Sequence, residues 1–145
     1  MVQLCVERNP NRPLVGFVAR GPNIVSRSIK NAYVDQTGYV HILRADGQDI
    51  QVAGEKDQVS ADSPVVSPDH QIVGWLVEMP NCCTSYPVPT TLVVYTSGRI
   101  VQRINDGMMI YKWAFLDRGR RIAVSSGTVH GNDGDPSDSL QLDNW

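Results

Sequence analysis

A short pattern recurs three times along this chain: an apolar alternation, a polar turn that carries Asp, and a second apolar run. It reads Ala32-Tyr33-Val34-Asp35-Gln36-Thr37-Gly38-Tyr39-Val40-His41-Ile42, then Val65-Val66-Ser67-Pro68-Asp69-His70-Gln71-Ile72-Val73-Gly74-Trp75, then Trp113-Ala114-Phe115-Leu116-Asp117-Arg118-Gly119-Arg120-Arg121-Ile122-Ala123-Val124. Such self-similarity constrains the fold strongly, because a unit that cannot bury its apolar face alone must stack on its neighbour. It identifies a scaffold, and a scaffold does not by itself fix chemistry.

Residues of high β-propensity alternate with polar ones and are broken at short intervals by Gly, Pro, Asp and Asn, and no window holds a helical period for long. The chain therefore reads as all-β, with strands predicted near residues 14–19, 24–28, 31–34, 39–43, 50–52, 65–67, 72–78, 91–95, 100–104, 109–116, 122–125 and 140–142. Ala45-Asp46-Gly47-Gln48 and Thr96-Ser97-Gly98-Arg99 each follow an apolar run and supply a Gly for positive φ, so both predict hairpin turns. Across the second turn, simple alternation puts Ile100, Gln102 and Ile104 on one face and Val101 on the other. The stretch from Pro80 to Thr90 carries Pro80, Pro87 and Pro89 and is expected to be an exposed loop, since Pro lacks the N–H that a ladder needs.

At 145 residues the chain fits one domain over 1–145, with leading strands in 1–28 and repeat units near 29–60, 61–106 and 107–145. Charged residues make up 19% and apolar residues 41%, so the sequence can bury a core and is unlike a disordered chain. A formal charge of −2 provides no field for nucleic acid, which is not expected as a partner. No apolar stretch approaches the ~20 residues that a membrane span requires, and residues 1–8 lack the apolar core of a signal peptide. The expectation is a soluble chain, cytoplasmic as written, or periplasmic or secreted if a signal peptide was removed. Cys5, Cys82 and Cys83 are odd in number, so full pairing within one chain is impossible. Reduced loop thiols, a bridge from Cys5 to either of the others, and a strained Cys82–Cys83 ring are the open arrangements.

The order of the second unit, followed by Leu92-Val93-Val94-Tyr95-Thr96-Ser97-Gly98-Arg99-Ile100-Val101-Gln102-Arg103-Ile104 and Tyr111-Lys112-Trp113-Ala114-Phe115-Leu116-Asp117-Arg118-Gly119, resembles the blade repeat of TolB-like, WD-type β-propellers. In that family a Ser-Pro-Asp-Gly turn links the first two strands of a blade. Here His70 stands where that Gly would be, the first unit has Asp35-Gln36-Thr37-Gly38, and the third has Asp117-Arg118-Gly119 without Ser-Pro. The resemblance covers about residues 32–124 and implies a partial β-propeller of about three blades. Closed rings use about four to eight blades. A homodimer that completes the ring is the expected assembly.

Asp35, Asp69 and Asp117 could converge as carboxylates, but Asp in a turn commonly caps its own backbone amides, and that structural role is the reading taken. Asp133, Asp135 and Asp138 are spaced partly like a calcium loop without the downstream Glu, which makes them weak metal candidates; a calcium-stabilised domain is a third reading. His41, His70 and His130 form no zinc spacing, and nucleophile-elbow, phosphate-loop and zinc-hydrolase motifs do not occur, so no catalytic residue and no cofactor is assigned. Trp75, Trp113 and Tyr111 sit in apolar runs and are expected in the core. Among Arg99, Arg103, Lys112, Arg118, Arg120 and Arg121, the group Arg118, Arg120 and Arg121 falls within one turn and is the candidate contact for an anion or an acidic partner. The expected function is a non-catalytic propeller-like protein-interaction or ligand-binding module that presents its loops to another protein, a ligand or its own copy. The alternative is a hydrolase or lyase with a site at a dimer interface, using His41, His70 or His130 as acid or base.

Overall fold

The computed structural model describes residues 2–7 and 27–128. These form an all-β arrangement of three antiparallel sheets, none of which closes on itself. The strands are β1 (Val2–Glu7), β2 (Ile29–Val34), β3 (Val40–Arg44), β4 (Asp49–Gln51), β5 (Ser60–Val66), β6 (Ile72–Met79), β7 (Val88–Thr96), β8 (Arg99–Ile104), β9 (Met109–Leu116) and β10 (Arg121–Gly127). Strands β2-β3-β4 make the first sheet, β5-β6-β7-β8 the second, and β1-β10-β9 the third. The third sheet is built from both ends of the described chain, with Leu4 paired to Val124. Among the described residues no helix is long and apolar enough to cross a membrane.

The sheets stack, with the four-stranded one in the middle. On one of its faces Val73, Trp75, Val77, Val93 and Tyr95 pack with Ala32, Val40, Ile42 and Val52 of the first sheet and the loop after it. On its other face Ile72, Leu76, Leu92, Val94 and Ile104 pack with Ile110, Ile122 and Val124 of the third sheet. Residues 72–77 are consequently buried without a break, because a strand covered on both sides has no solvent face. Gly74 is required at its position: a Cβ there would lie 2.5 Å from Cη2 of Trp113, whose ring occupies that space. The aromatic of the third sheet thus rests directly on the backbone of the second.

Several expectations are corrected by local geometry. A bulge between Val94 and Tyr95 pairs Tyr95 with Ile100 but Val94 with Gln102. The extra residue, Val101, flips the face, so Ile100 packs against the first core and Ile104 enters the second. Pro89 lies inside β7 rather than in a loop; it sits opposite Glu78 at another register shift, where a missing N–H is tolerated. Strand β5 begins at Ser60, well before residue 65, because a bulge at Ser63-Pro64 lets the pairing continue. Tyr111 is 42% exposed, not core, and Trp113 is only partly buried. The predicted strands at 14–19 and 140–142, and most of 24–28, lie outside the described residues.

Both predicted hairpin turns are present. Ser97 and Gly98, with φ of 54° and 83°, connect β7 to β8, and Gly47, with φ of 89°, turns β3 into β4. In the Ser67-Pro68-Asp69-His70 turn, the Ser67 N–H donates to the Ile72 carbonyl at 2.8 Å and the His70 N–H to the Ser67 carbonyl at 2.9 Å. His70 adopts φ of 58°, the left-handed conformation that a glycine would take without strain. The imidazole offsets that cost by donating from Nδ1 to the Ile29 carbonyl at 2.9 Å, while the His70 carbonyl accepts the Ile29 N–H at 2.8 Å. One turn of the second sheet is thereby tied to the first strand of the neighbouring sheet.

Candidate functional site

The alternation that buries Val40 and Ile42 turns His41 to the opposite face of the first sheet. Register then fixes its neighbours. Tyr33 lies opposite His41 on one side and Gln51 on the other, with Asp49 one row away opposite Leu43. The Asp35 turn closes the end of the same hairpin and brings its carboxylate back over the sheet. The result is a side-chain network on an open sheet face.

His41 lies between two carboxylates, with Nδ1 at 2.8 Å from Oδ1 of Asp49 and Nε2 at 3.0 Å from Oδ2 of Asp35. A carboxylate only accepts, so satisfying both contacts requires hydrogen on both ring nitrogens and favours the imidazolium. Its pKa is raised accordingly, first by the bond to Asp49 and then by that to Asp35, against some opposition from desolvation. The Tyr33 hydroxyl donates to Oδ2 of Asp49 at 2.6 Å, and its ring stacks on His41 at 5.0 Å between centroids. This bond lowers Asp49, with His41 adding to it, and raises the phenol in turn. Asp35 accepts at Oδ1 from the hydroxyl and N–H of Thr37 and from the N–H of Tyr39, and at Oδ2 from Gln51 at 3.3 Å. The Thr37 hydroxyl is foremost among the donors that hold Asp35 well below the ordinary carboxylate range.

Asp35 therefore caps its turn, as expected, and also reaches His41, which the turn reading missed. The usable signal was period two: Tyr33 and Asp35 on one strand, His41 on the next, and Asp49 and Gln51 on the third share a face once two turns set the register. Asp69 stays within its own turn and accepts from the Ser67 hydroxyl at 2.5 Å and the Gln71 N–H at 3.1 Å. Asp117 pairs with Arg121 at 2.6 Å in the turn after β9. The three Asp-bearing turns do not bring their carboxylates into contact with one another in any described hydrogen bond.

The basic residues are divided among different roles. Arg121 is held by Asp117, Arg103 pairs with Glu55 at 2.8 Å, and Arg99 and Lys112 are exposed on β8 and β9. Arg118 is exposed and left-handed, with φ of 59°. Arg120 borders a small, mostly apolar cleft between the second and third sheets, bounded also by Ile72, Val94, Thr96, Gln102 and Ile122. No carboxylate or imidazole lines that cleft. The titratable network and the cleft are separate features, on different sheets.

Among the described residues, no group of three or more His, Cys, Asp or Glu side chains is arranged to hold a metal ion. Asp133, Asp135, Asp138 and His130 lie outside the described residues. Cys82 and Cys83 are exposed thiols in the loop between β6 and β7, and Cys5 belongs to β1. No protein-family profile matches this chain, and neither a curated protein nor a solved structure matches it.

Proposed function

We propose that this chain is a non-catalytic, β-propeller-like recognition module of about three blades, which presents its loops to a protein partner and completes its ring with a second copy of itself. The observation that carries this reading is that, among the described residues, the His41 network is separate from the cleft between the second and third sheets. Among the described residues, Tyr33, Asp35, His41 and Asp49 occupy an open sheet face, each engaged by another, while the cleft beside Arg120 has no carboxylate or imidazole in its lining. General acid–base chemistry needs a titratable group within reach of a bound substrate, and this arrangement supplies the two in different places.

Support for the propeller-like element comes from the serial stacking of sheets and from the pairing of β1 with β10, which joins the start of the described chain to the last sheet. The three sheets of the described residues are fewer than the about four to eight blades of a closed ring, and in this reading a second copy supplies the rest. Two of the sheet edges, β4 and β8, are poorly suited to simple strand addition. Strand β4 has only three residues, and β8 carries Arg99, Arg103 and a bulge. Face-to-face contact is the better route, and the His41 network can be covered at modest cost because its polar atoms already satisfy one another. Light scattering on a sizing column across a wide concentration range tests this. The expected mass is twice 16.0 kDa; a monomer at every concentration overturns the two-chain ring.

A further inference from the structure

The loop between β6 and β7 carries two cysteines in succession, and both are solvent-exposed thiols. It is anchored at either end by paired strands, where Met79 faces Val88. Within it the Cys83 N–H donates to Oδ1 of Asn81 at 3.0 Å and the Thr84 hydroxyl to the Tyr86 carbonyl at 2.6 Å. The two thiols are adjacent in the chain, and the Cys82 side chain acts on the Cys83 thiol.

We propose that Cys82 and Cys83 form a vicinal dithiol site that chelates a soft, thiophilic centre requiring only two protein sulfurs, of the class represented by a monosubstituted trivalent arsenical. Spacing favours chelation over a disulfide. Bonds of about 2.3 Å from a soft centre to sulfur, at roughly 90–110°, hold two sulfurs about 3.3–3.8 Å apart, close to ordinary thiol contact. A disulfide demands about 2.05 Å and would close a strained ring between adjacent residues. Zinc in a structural site wants four ligands, and no third His, Cys, Asp or Glu joins the pair among the described residues. The interaction with Cys82 also raises the Cys83 thiol above its ordinary range.

With hydrated phenylarsine oxide the step balances as a condensation. Two As–O bonds break and two As–S bonds form, and the two thiol protons leave with the two hydroxides as water. Arsenic stays trivalent, and nothing is oxidised or reduced.

The test is titration of the reduced, full chain with phenylarsine oxide, following loss of free thiols and the mass of the adduct. One arsenical per chain with two thiols consumed is expected. Cys82→Ser and Cys83→Ser should each weaken binding by about 10²–10⁴-fold, the factor gained when a second attachment becomes intramolecular. Cys5→Ser should bind as the wild type does. Because both loop cysteines are exposed, the single variants should keep the wild-type far-ultraviolet circular dichroism. Equal binding by the single loop variants, loss of binding in Cys5→Ser, or uptake of no arsenical by the reduced wild type each overturns the proposal.

Discussion

Strands β3 and β6 are both interior strands of antiparallel sheets, yet they end in opposite environments. In β6 the run Ile72-Val73-Gly74-Trp75-Leu76-Val77 is buried throughout, because a sheet lies against each face. In β3 only Val40 and Ile42 are buried, and His41 between them stands on an open face between two carboxylates. The difference shows how the number of covering layers governs what a strand can carry. Two layers leave room only for packing, and one layer leaves alternate positions for polar chemistry.

The comparison breaks most sharply at Trp75, which is 3% exposed and packs with Tyr95 at 6.4 Å between ring centroids. Trp75→Ala should cost about 4 kcal/mol, as expected for removal of a buried indole, and chemical unfolding will measure it. A loss below about 1 kcal/mol would mean that the first and second sheets are not held by this core. Next in size is Gly74→Ala, which sets a methyl against the Trp113 ring and should cost about 2 kcal/mol by overpacking. A shifted Trp113 fluorescence in that variant would place the strain at the contact between the second and third sheets.

The smallest effect belongs to the open face. His41→Gln should lower stability by at most about 1 kcal/mol, because the network is solvent-screened. Its diagnostic is the pH profile. The raised His41 pKa contributes stability that is fully present below the ordinary value of 6.5 and is lost as pH rises through the folded-state value. The lowered Asp35 and Asp49 contribute above the ordinary 3.8, and their contribution is lost as pH falls through their folded-state values. The network should therefore support the fold best between about pH 4 and 6.5. Thermal melts from pH 3 to pH 9 should show that maximum flattened in His41→Gln; an unchanged profile would remove the network as a stabilising unit.

Much of the all-β character was legible because alternation and turn chemistry are local. The Thr96-Ser97-Gly98-Arg99 hairpin needed only a Gly and two apolar runs. The face change at Val101 was not legible, since a bulge inserts a residue without any change in composition. Pro89 misled for a related reason: Pro argues against a regular ladder, but not against a strand that already breaks register there. The His41 network was half visible. Its members stand in the sequence as period-two residues, but their meeting depends on the registers of two successive hairpins, and a slip of one residue in either would send His41 into the core.

By itself the sequence determined the strand-forming runs, the Asp and Gly turns and the three-fold recurrence, since these rest on backbone preferences and side-chain alternation that act over a few residues. Only the tertiary structure decided that the second sheet is covered on both faces and the first on one, that β1 joins β10, and that Asp35 and Asp49 enclose His41. Those outcomes depend on contacts between residues distant in the chain, where close packing and strand register, rather than local propensity, select the arrangement.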